Sequence, residues 1–205
     1  MTFNAPFSGM NVLVVDDDRA IRLLITRIAT GWSYDVVESP SAEDALAKLR
    51  EKKFNIILTD IQMGKMDGIT FAEKIREKLP STAVIIMTGN PNPKTAKKSH
   101  DMGAIYYMQK PISMEELGET LKIAANWNLS MLVQRAAKRY LALRKGHERD
   151  HATRLKAIKE ELKFVLQHKR WYEHVRDFVY AQSVETNPLF AALNQKFAPD
   201  SLRSF

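Results

Sequence analysis

The chain has 205 residues, of which 45% are hydrophobic and 27% are charged, and it carries a net charge of +7 at pH 7. This composition is typical of a folded protein and excludes a collagen-like or largely disordered chain. The lack of cysteine excludes disulfides, thiolate zinc sites and cysteine nucleophiles. Because a signal-like start and a run of about 18 apolar residues are both absent, we expect a cytoplasmic protein without a membrane span.

Residues 1–125 alternate short apolar runs with amphipathic stretches, a pattern that predicts a parallel sheet flanked by helices. The predicted strands are 11–15, 34–37, 55–59, 82–87 and 105–108, and the predicted helices are 18–30, 41–51, 68–79, 94–102 and 113–126. The first, third and fourth strands are almost wholly apolar, which is typical of central strands covered on both faces. Ser41 with Asp44, and Ser113 with Glu116, mark helix starts.

The C-terminal part permits long helices, because no proline occurs between Ser113 and Pro188. Apolar residues recur there at three- and four-residue steps, at positions 129, 133, 136, 140, 143, 155, 158, 162, 165, 172, 175 and 179. This apolar stripe fails between Arg144 and Arg154. A turn at the break predicts an intramolecular hairpin, and continuous helix predicts a coiled-coil homodimer. We therefore divide the chain into residues 1–126, a helical extension of residues 127–183 and an irregular tail of residues 184–205.

The excess of positive charge lies entirely in the C-terminal part. Residues 1–125 contain 16 basic and 16 acidic residues, whereas residues 126–205 contain 15 basic and 8 acidic residues. Basic residues on an amphipathic helix usually form a solvated face. They can also contact the phosphates of a nucleic acid, although no helix-turn-helix pattern is present. We therefore favour a protein partner for this region over nucleic-acid binding.

Polar side chains follow four of the predicted strands at the point where each strand ends. They are Asp16, Asp17 and Asp18 after the first strand, Asp60 after the third, Thr88 at the end of the fourth and Lys110 after the fifth. Because the carboxyl ends of parallel strands lie together, we expect these side chains to share one pocket. Clustered carboxylates repel one another and favour a hard divalent cation such as Mg²⁺. With Lys110 neutralising phosphoryl oxygens, a carboxylate can act as a nucleophile toward phosphorus.

Four segments in this order resemble the bacterial response-regulator receiver family over roughly residues 9–126. They are Val14-Val15-Asp16-Asp17, Leu58-Thr59-Asp60, Met87-Thr88-Gly89 and Lys110-Pro111. The loop from Asp60 to Gly68 also resembles the family's D-x-x-M-P-x-M-D-G pattern, but Gly64 stands where proline is usual. This substitution predicts a looser loop. The resemblance implies an α/β, flavodoxin-like fold with strand order 2-1-3-4-5, followed by the all-α helical extension.

The resemblance also implies how the site would work. Asp60 would accept a phosphoryl group from a sensor histidine kinase or a phosphotransfer protein. Asp16, Asp17, Asp60 and the backbone carbonyl of Gln62 would bind Mg²⁺. Such a protein is a phosphoacceptor regulator rather than an enzyme.

Two further roles follow from the resemblance and concern the response to phosphorylation. Lys110 and Thr88 would contact the phosphoryl oxygens, and Tyr107 would occupy the aromatic switch position. The rotamer of Tyr107 would follow Thr88 when phosphate binds, so that the face built by the fourth helix, the fifth strand and the fifth helix changes. We expect the helical extension to transmit this change through homodimerisation or a downstream protein partner.

Overall fold

The computed structural model describes residues 9–145, with side chains through residue 136 and at residue 138. Five strands alternate with five helices. The strands are β1 (Asn11–Val15), β2 (Asp35–Ser39), β3 (Ile56–Asp60), β4 (Ala83–Thr88) and β5 (Tyr106–Gln109), and the helices are α1 (Arg19–Gly31), α2 (Ala42–Glu51), α3 (Gly68–Lys78), α4 (Pro93–Asp101) and α5 (Met114–Lys145). All the strand pairs are parallel and the order is β2-β1-β3-β4-β5, which confirms the predicted flavodoxin-like fold.

Two elements differ from their predicted bounds by more than one residue. The second strand extends to Ser39, because Glu38 and Ser39 continue the pairing with Val14 and Val15 of β1. This strand lies at the edge of the sheet, where polar residues are tolerated. Helix α5 continues past residue 126 to Lys145, since the sequence holds no proline there to end it.

The central strands are buried on both faces, as their apolar sequences predict. On one face Leu13, Ile57 and Val84 belong to a core cluster that includes Phe71 and Ile75 of α3. Alternate residues of a strand point to the opposite face. Val12, Ile56 and Ile85, which alternate with the first set, are also fully buried. Burial of such a side chain contributes about 1.5–3 kcal/mol each, so this two-sided core holds the strand ends in place.

Helix N-termini fix the loops that leave the strands. Four helices begin after a side chain that accepts backbone N–H groups of the first turn, namely Asp18 for α1, Ser41 for α2, Asp67 for α3 and Asn92 for α4. Ser113 does the same for α5, because its hydroxyl accepts from the N–H of Glu116 at 3.0 Å. The two predicted helix starts at Ser41 and Ser113 are therefore confirmed. Each such cap stabilises a helix by about 1 kcal/mol.

A hydrogen-bonded cluster of amides lies at the opposite, amino end of the sheet. The carboxamide oxygen of Asn55 accepts from the N–H of Asn11 at 2.9 Å, and its nitrogen donates to the carboxamide oxygen of Asn128 at 3.0 Å. Asn128 of α5 in turn donates to the carbonyl oxygen of Ser81 at 2.5 Å. The side chain of Asn128 is buried with both halves of its amide satisfied, so this cluster ties α5 to the starts of β1, β3 and β4.

The chain forms two compact units, Met1–Asn128 and Leu129–Phe205, and the boundary falls within α5. In the second unit, three positions of the apolar stripe, Leu129, Val133 and Ala136, are buried. The later stripe positions and the break after Arg144 lie outside the described side chains. Among residues 9–145, none of the helices combines the length and hydrophobicity needed to cross a bilayer.

Candidate functional site

Three carboxylates meet at the carboxyl end of the sheet. Asp16 directly follows β1 and Asp60 ends the neighbouring strand β3, where Val15 pairs with Thr59. Oxygens from Asp16, Asp17 and Asp60 lie within 4.8 Å of one another. Asp16 and Asp60 are buried whereas Asp17 is exposed. The cluster is therefore embedded in the sheet and open to solvent on the side of Asp17.

The Lys110 side chain bridges the two buried carboxylates. Its Nζ donates to Oδ2 of Asp16 at 2.7 Å and lies 2.8 Å from Oδ1 of Asp60. The N–H of Lys110 also donates to the carbonyl oxygen of Thr88 at 2.8 Å, which fixes the residue after β5 against β4. One ammonium thus faces three carboxylates, and the ionised cluster carries two uncompensated negative charges.

The pKa values of Asp16 and Lys110 reflect this imbalance of charge. Burial raises the pKa of Asp16, and the hydrogen bonds from Lys110 and from the N–H of Asp18 only partly offset the effect. Burial alone would lower the pKa of Lys110, but its hydrogen bonds to Asp16 and Asp60 outweigh this effect and raise it. Lys110 therefore stays protonated at neutral pH, and burial makes ionisation of Asp16 more costly than it would be in water.

The donor set fits Mg²⁺. Carboxylate oxygens are the hard ligands that this ion prefers, and it commonly takes one or two carboxylates together with waters. A divalent charge also matches the excess of two negative charges left by Asp16, Asp17, Asp60 and Lys110. Gln62, the predicted backbone ligand, lies in the loop after β3 with its side chain exposed. The acidic triad is thus consistent with a receiver-type Mg²⁺ site.

The backbone of Asp60 is held by the close approach of Gly68 at the start of α3. A Cβ atom on Gly68 would lie only 1.8 Å from the carbonyl oxygen of Asp60. The N–H of Gly68 donates to the carbonyl oxygen of Ile61 at 3.0 Å, which closes the loop. At Gly64, in contrast, no heavy atom lies within 4 Å of the corresponding Cβ position. The departure from the family pattern at Gly64 therefore occurs where a side chain would meet open space.

The two predicted switch residues have different partners. Thr88 ends β4 at the carboxyl end of the sheet, is buried, and its Oγ1 accepts from the N–H of Asn90 at 3.1 Å. Tyr107 is half-buried on β5, and its hydroxyl lies 2.8 Å from Oγ1 of Thr95 on α4. The structure thus brings Thr88 to the carboxylate end and joins Tyr107 to α4.

Sequence reasoning missed one residue that contacts the acidic loop. Arg22 of α1 donates from Nη1 to the backbone carbonyl oxygens of Asp16 at 2.7 Å and of Asp17 at 3.1 Å. An arginine on an amphipathic helix is usually interpreted as solvent-exposed. Its position one turn after the acidic triplet is the only sequence signal that could have indicated this contact.

Comparisons with known proteins agree with this geometry. The model of the response regulator receiver domain family matches residues 12–122. The chain is 37% identical over 115 residues to the transcriptional regulatory protein ZraR of Salmonella typhimurium, covering 56% of this chain and 26% of that protein. The match therefore spans about a quarter of that relative's length.

Solved structures show the same resemblance. One is a CheY-like receiver domain protein from Methanospirillum hungatei, with 30% identity and a TM-score of 0.58 over 60% of this chain and 99% of that one. Another is the solution structure of the beryllofluoride-activated NtrC4 receiver domain dimer, with 32% identity and a TM-score of 0.56 over 58% and 98%.

Proposed function

Because the chain belongs to the response regulator receiver domain family, we propose that Asp60 accepts a phosphoryl group and thereby controls a signalling output. Family membership implies a histidine kinase partner, which would donate the group directly or through a phosphotransfer protein. One observation carries the proposal. Asp16, Asp17 and Asp60 gather their carboxylates within 4.8 Å, and Lys110 contacts the two buried ones.

The proposed chemistry is a transfer between two nucleophiles. A carboxylate oxygen of Asp60 forms a bond to phosphorus as the phosphorus–nitrogen bond of the donor phosphohistidine breaks, and the released imidazole nitrogen takes up a proton. Lys110, already 2.8 Å from Asp60, would then pair with a phosphoryl oxygen. The hydroxyl of Thr88 would donate to another. The protein would be a phosphoacceptor with only its own phosphorylation and dephosphorylation chemistry.

Magnesium would be held by Asp17 directly, by Asp16 partly through water, by Asp60 and by the backbone carbonyl of Gln62. When bound, it would supply positive charge to the phosphoryl oxygens, which is the charge that the carboxylate cluster lacks. The exposure of Asp17 supports this role, because the open side of the pocket leaves room for water ligands.

The proposed switch connects Thr88 to Tyr107. A hydrogen bond from Thr88 to the phosphoryl group would change the space beside β4, and the rotamer of Tyr107 would follow. The contact between Tyr107 and Thr95 supports the proposal, because a rotamer change would break a hydrogen bond to α4. Phosphorylation would then shift the balance between two conformations of this surface.

The output would reside in the helical extension, which we place at residues 127–183, with an irregular tail at residues 184–205. We propose that it acts by homodimerisation or by binding a downstream protein. The solution structure of a similar receiver domain as a beryllofluoride-activated dimer supports the first alternative. The apolar stripe that begins at Leu129 fits a coiled-coil homodimer and equally an intramolecular hairpin.

The test uses the full chain with acetyl phosphate and Mg²⁺. We expect a phosphate that is stable in acid and labile in base on the wild type, and none on Asp60→Asn. Asp35→Asn is the matched control, because it removes one exposed carboxylate at the amino end of the sheet and should label normally. Equal labelling of wild type and Asp60→Asn, or no labelling of either, contradicts the proposal.

A second candidate function rests on the charge of residues 126–205, with 15 basic and 8 acidic residues. A nucleic-acid-binding regulator would use this region to contact phosphates, and a relative is named as a transcriptional regulatory protein. Retention of the full chain on immobilised polynucleotide, lost as salt increases, would support this function. A lack of retention at low salt excludes it.

A further inference from the structure

The Arg22 side chain is packed behind the acidic loop and makes three contacts with oxygen atoms. Nη1 donates to the carbonyl oxygens of Asp16 and Asp17, at 2.7 and 3.1 Å. Nε lies 3.5 Å from Oε2 of Glu38 on β2, and because this buried atom makes no hydrogen bond, the contact is an ion pair only. The Arg22 side chain is 12% exposed. A charged group so covered is costly unless its partners compensate. Here Glu38 supplies the opposite charge, and the two carbonyl partners belong to residues of the candidate metal site.

The loop that Arg22 contacts carries like charges on neighbouring side chains. Asp16 and Asp17 are adjacent, and their carboxylates lie close to that of Asp60. Like charges at this separation favour a backbone in which the side chains diverge. The bonds from Nη1 of Arg22 to two successive carbonyls oppose such movement, because the two N–H groups of one nitrogen hold both oxygens relative to α1.

We propose that Arg22 is a positioning residue for Mg²⁺ and phosphoryl binding, which holds the Asp16–Asp17 backbone so that both carboxylates face the site. This inference rests on the proposed function. Glu38 holds the guanidinium from β2, and its carbonyl oxygen in turn accepts a hydrogen bond from Lys48 of α2 at 2.7 Å. The contacts thus form an outer layer around the metal ligands, and such outer partners typically change metal affinity 10- to 100-fold.

The sign of the effect separates positioning from simple charge. As a cation near an acidic site, Arg22 would weaken Mg²⁺ binding through space, so its removal would tighten binding. As a positioning residue it strengthens binding, so its removal weakens it. Arg27 provides the comparison, because it lies on the same helix with an exposed side chain and carries the same charge.

The experiment is calorimetric titration of the full chain with MgCl₂, with the thermal unfolding midpoint measured in parallel without Mg²⁺. We expect Arg22→Gln to weaken Mg²⁺ binding about tenfold, and Arg27→Gln to leave it within twofold of the wild type. Arg22→Lys should give an intermediate affinity, because an ammonium can donate to the carbonyls but lacks the Nε that contacts Glu38. Unchanged or tighter binding by Arg22→Gln overturns the inference.

If Arg22→Gln does not fold, Glu38→Gln tests the inference instead, because it removes the ion pair and leaves the guanidinium in place. We expect that variant to weaken Mg²⁺ binding about threefold, and unchanged binding overturns the inference. Failure of the proposed function is distinguishable, because in that case the wild type itself would bind no Mg²⁺ and take no phosphate from acetyl phosphate.

Discussion

The two ends of the sheet both bury polar side chains, but they treat them in opposite ways. At the amino end, the amides of Asn55 and Asn128 are neutral, and each finds a hydrogen-bond partner within the protein. At the carboxyl end, Asp16 and Asp60 share the single ammonium of Lys110, and charge remains uncompensated. A satisfied polar cluster stabilises a fold, whereas an unsatisfied charged one leaves affinity for a ligand. The difference indicates that the amino end stabilises the fold and that the carboxyl end holds the reactive site.

The largest effect is expected for a substitution that tests whether the geometry of the carboxyl end depends on close backbone packing. Gly68→Ala should lower the free energy of unfolding by about 3 kcal/mol, because the new methyl group collides with the carbonyl oxygen of Asp60. Alanine would otherwise favour the helix over glycine. Phosphorylation should fall as well, since Asp60 has to move. Urea denaturation and acetyl phosphate labelling measure the two effects.

Gly64→Ala is the matched control for this substitution, because its methyl group meets no atom within 4 Å. Its free energy of unfolding should stay within about 0.5 kcal/mol of the wild type. If both alanine variants have the same free energy of unfolding, close packing at Gly68 does not hold the loop.

A smaller effect is expected at the amino end. Asn128→Ala removes two hydrogen bonds and leaves the side-chain nitrogen of the half-buried Asn55 and the carbonyl oxygen of Ser81 unpaired. The free energy of unfolding should fall by about 2 kcal/mol, whereas Mg²⁺ affinity should not change. Glu119→Ala, at an exposed position of the same helix, should have little effect on either quantity. A loss of Mg²⁺ affinity in Asn128→Ala would break the proposed division between the two ends.

The smallest expected effect is on the pH dependence of stability. Here the substitution should raise the free energy of unfolding, whereas the preceding substitutions lower it. Since burial raises the pKa of Asp16 above 3.8, the folded state takes up this proton more readily than the unfolded state does. Ionisation of Asp16 therefore costs stability as pH rises through the folded-state pKa, and the cost is absent below 3.8. In buffer without Mg²⁺, Asp16→Asn should gain stability relative to the wild type as pH increases through this window.

The Asn128→Ala variant provides the contrast, because no titrating group is removed and its loss of stability should be the same across that window. Urea midpoints at a series of pH values measure both. A constant difference between Asp16→Asn and the wild type would mean that the buried carboxylate is fully compensated by Lys110.

Much of the fold could be predicted because local sequence and tertiary position agree. The apolar runs of β1, β3 and β4 match strands buried on both faces, and the caps at Ser41 and Ser113 match observed hydrogen bonds. The end of α5 could not be placed from the resemblance, which stops near residue 126. Helix continuation depends on the residues that follow, and nothing there interrupts it before Lys145.

The site could be predicted in its acidic residues because strand ends in a parallel sheet meet regardless of their separation in sequence. The contacts that Arg22 and Asn128 make could not be predicted from the sequence. Arg22 and Asn128 are polar residues on helices whose burial depends on which face packs inward, and each finds partners far along the chain or on another element. Periodicity gives the apolar face, but it does not indicate which polar side chain at its border turns inward to bind a carbonyl.

The length of the central strands has one more consequence. Strands β1 and β3 have five residues each, and at about 3.3 Å per residue they separate the two ends of the sheet by roughly 17 Å. Substitutions that far apart and without shared partners usually have additive effects. The amide cluster and the acidic pocket can therefore vary independently during evolution. A substitution in the amide cluster can change the stability of the fold without changing the chemistry of the acidic pocket.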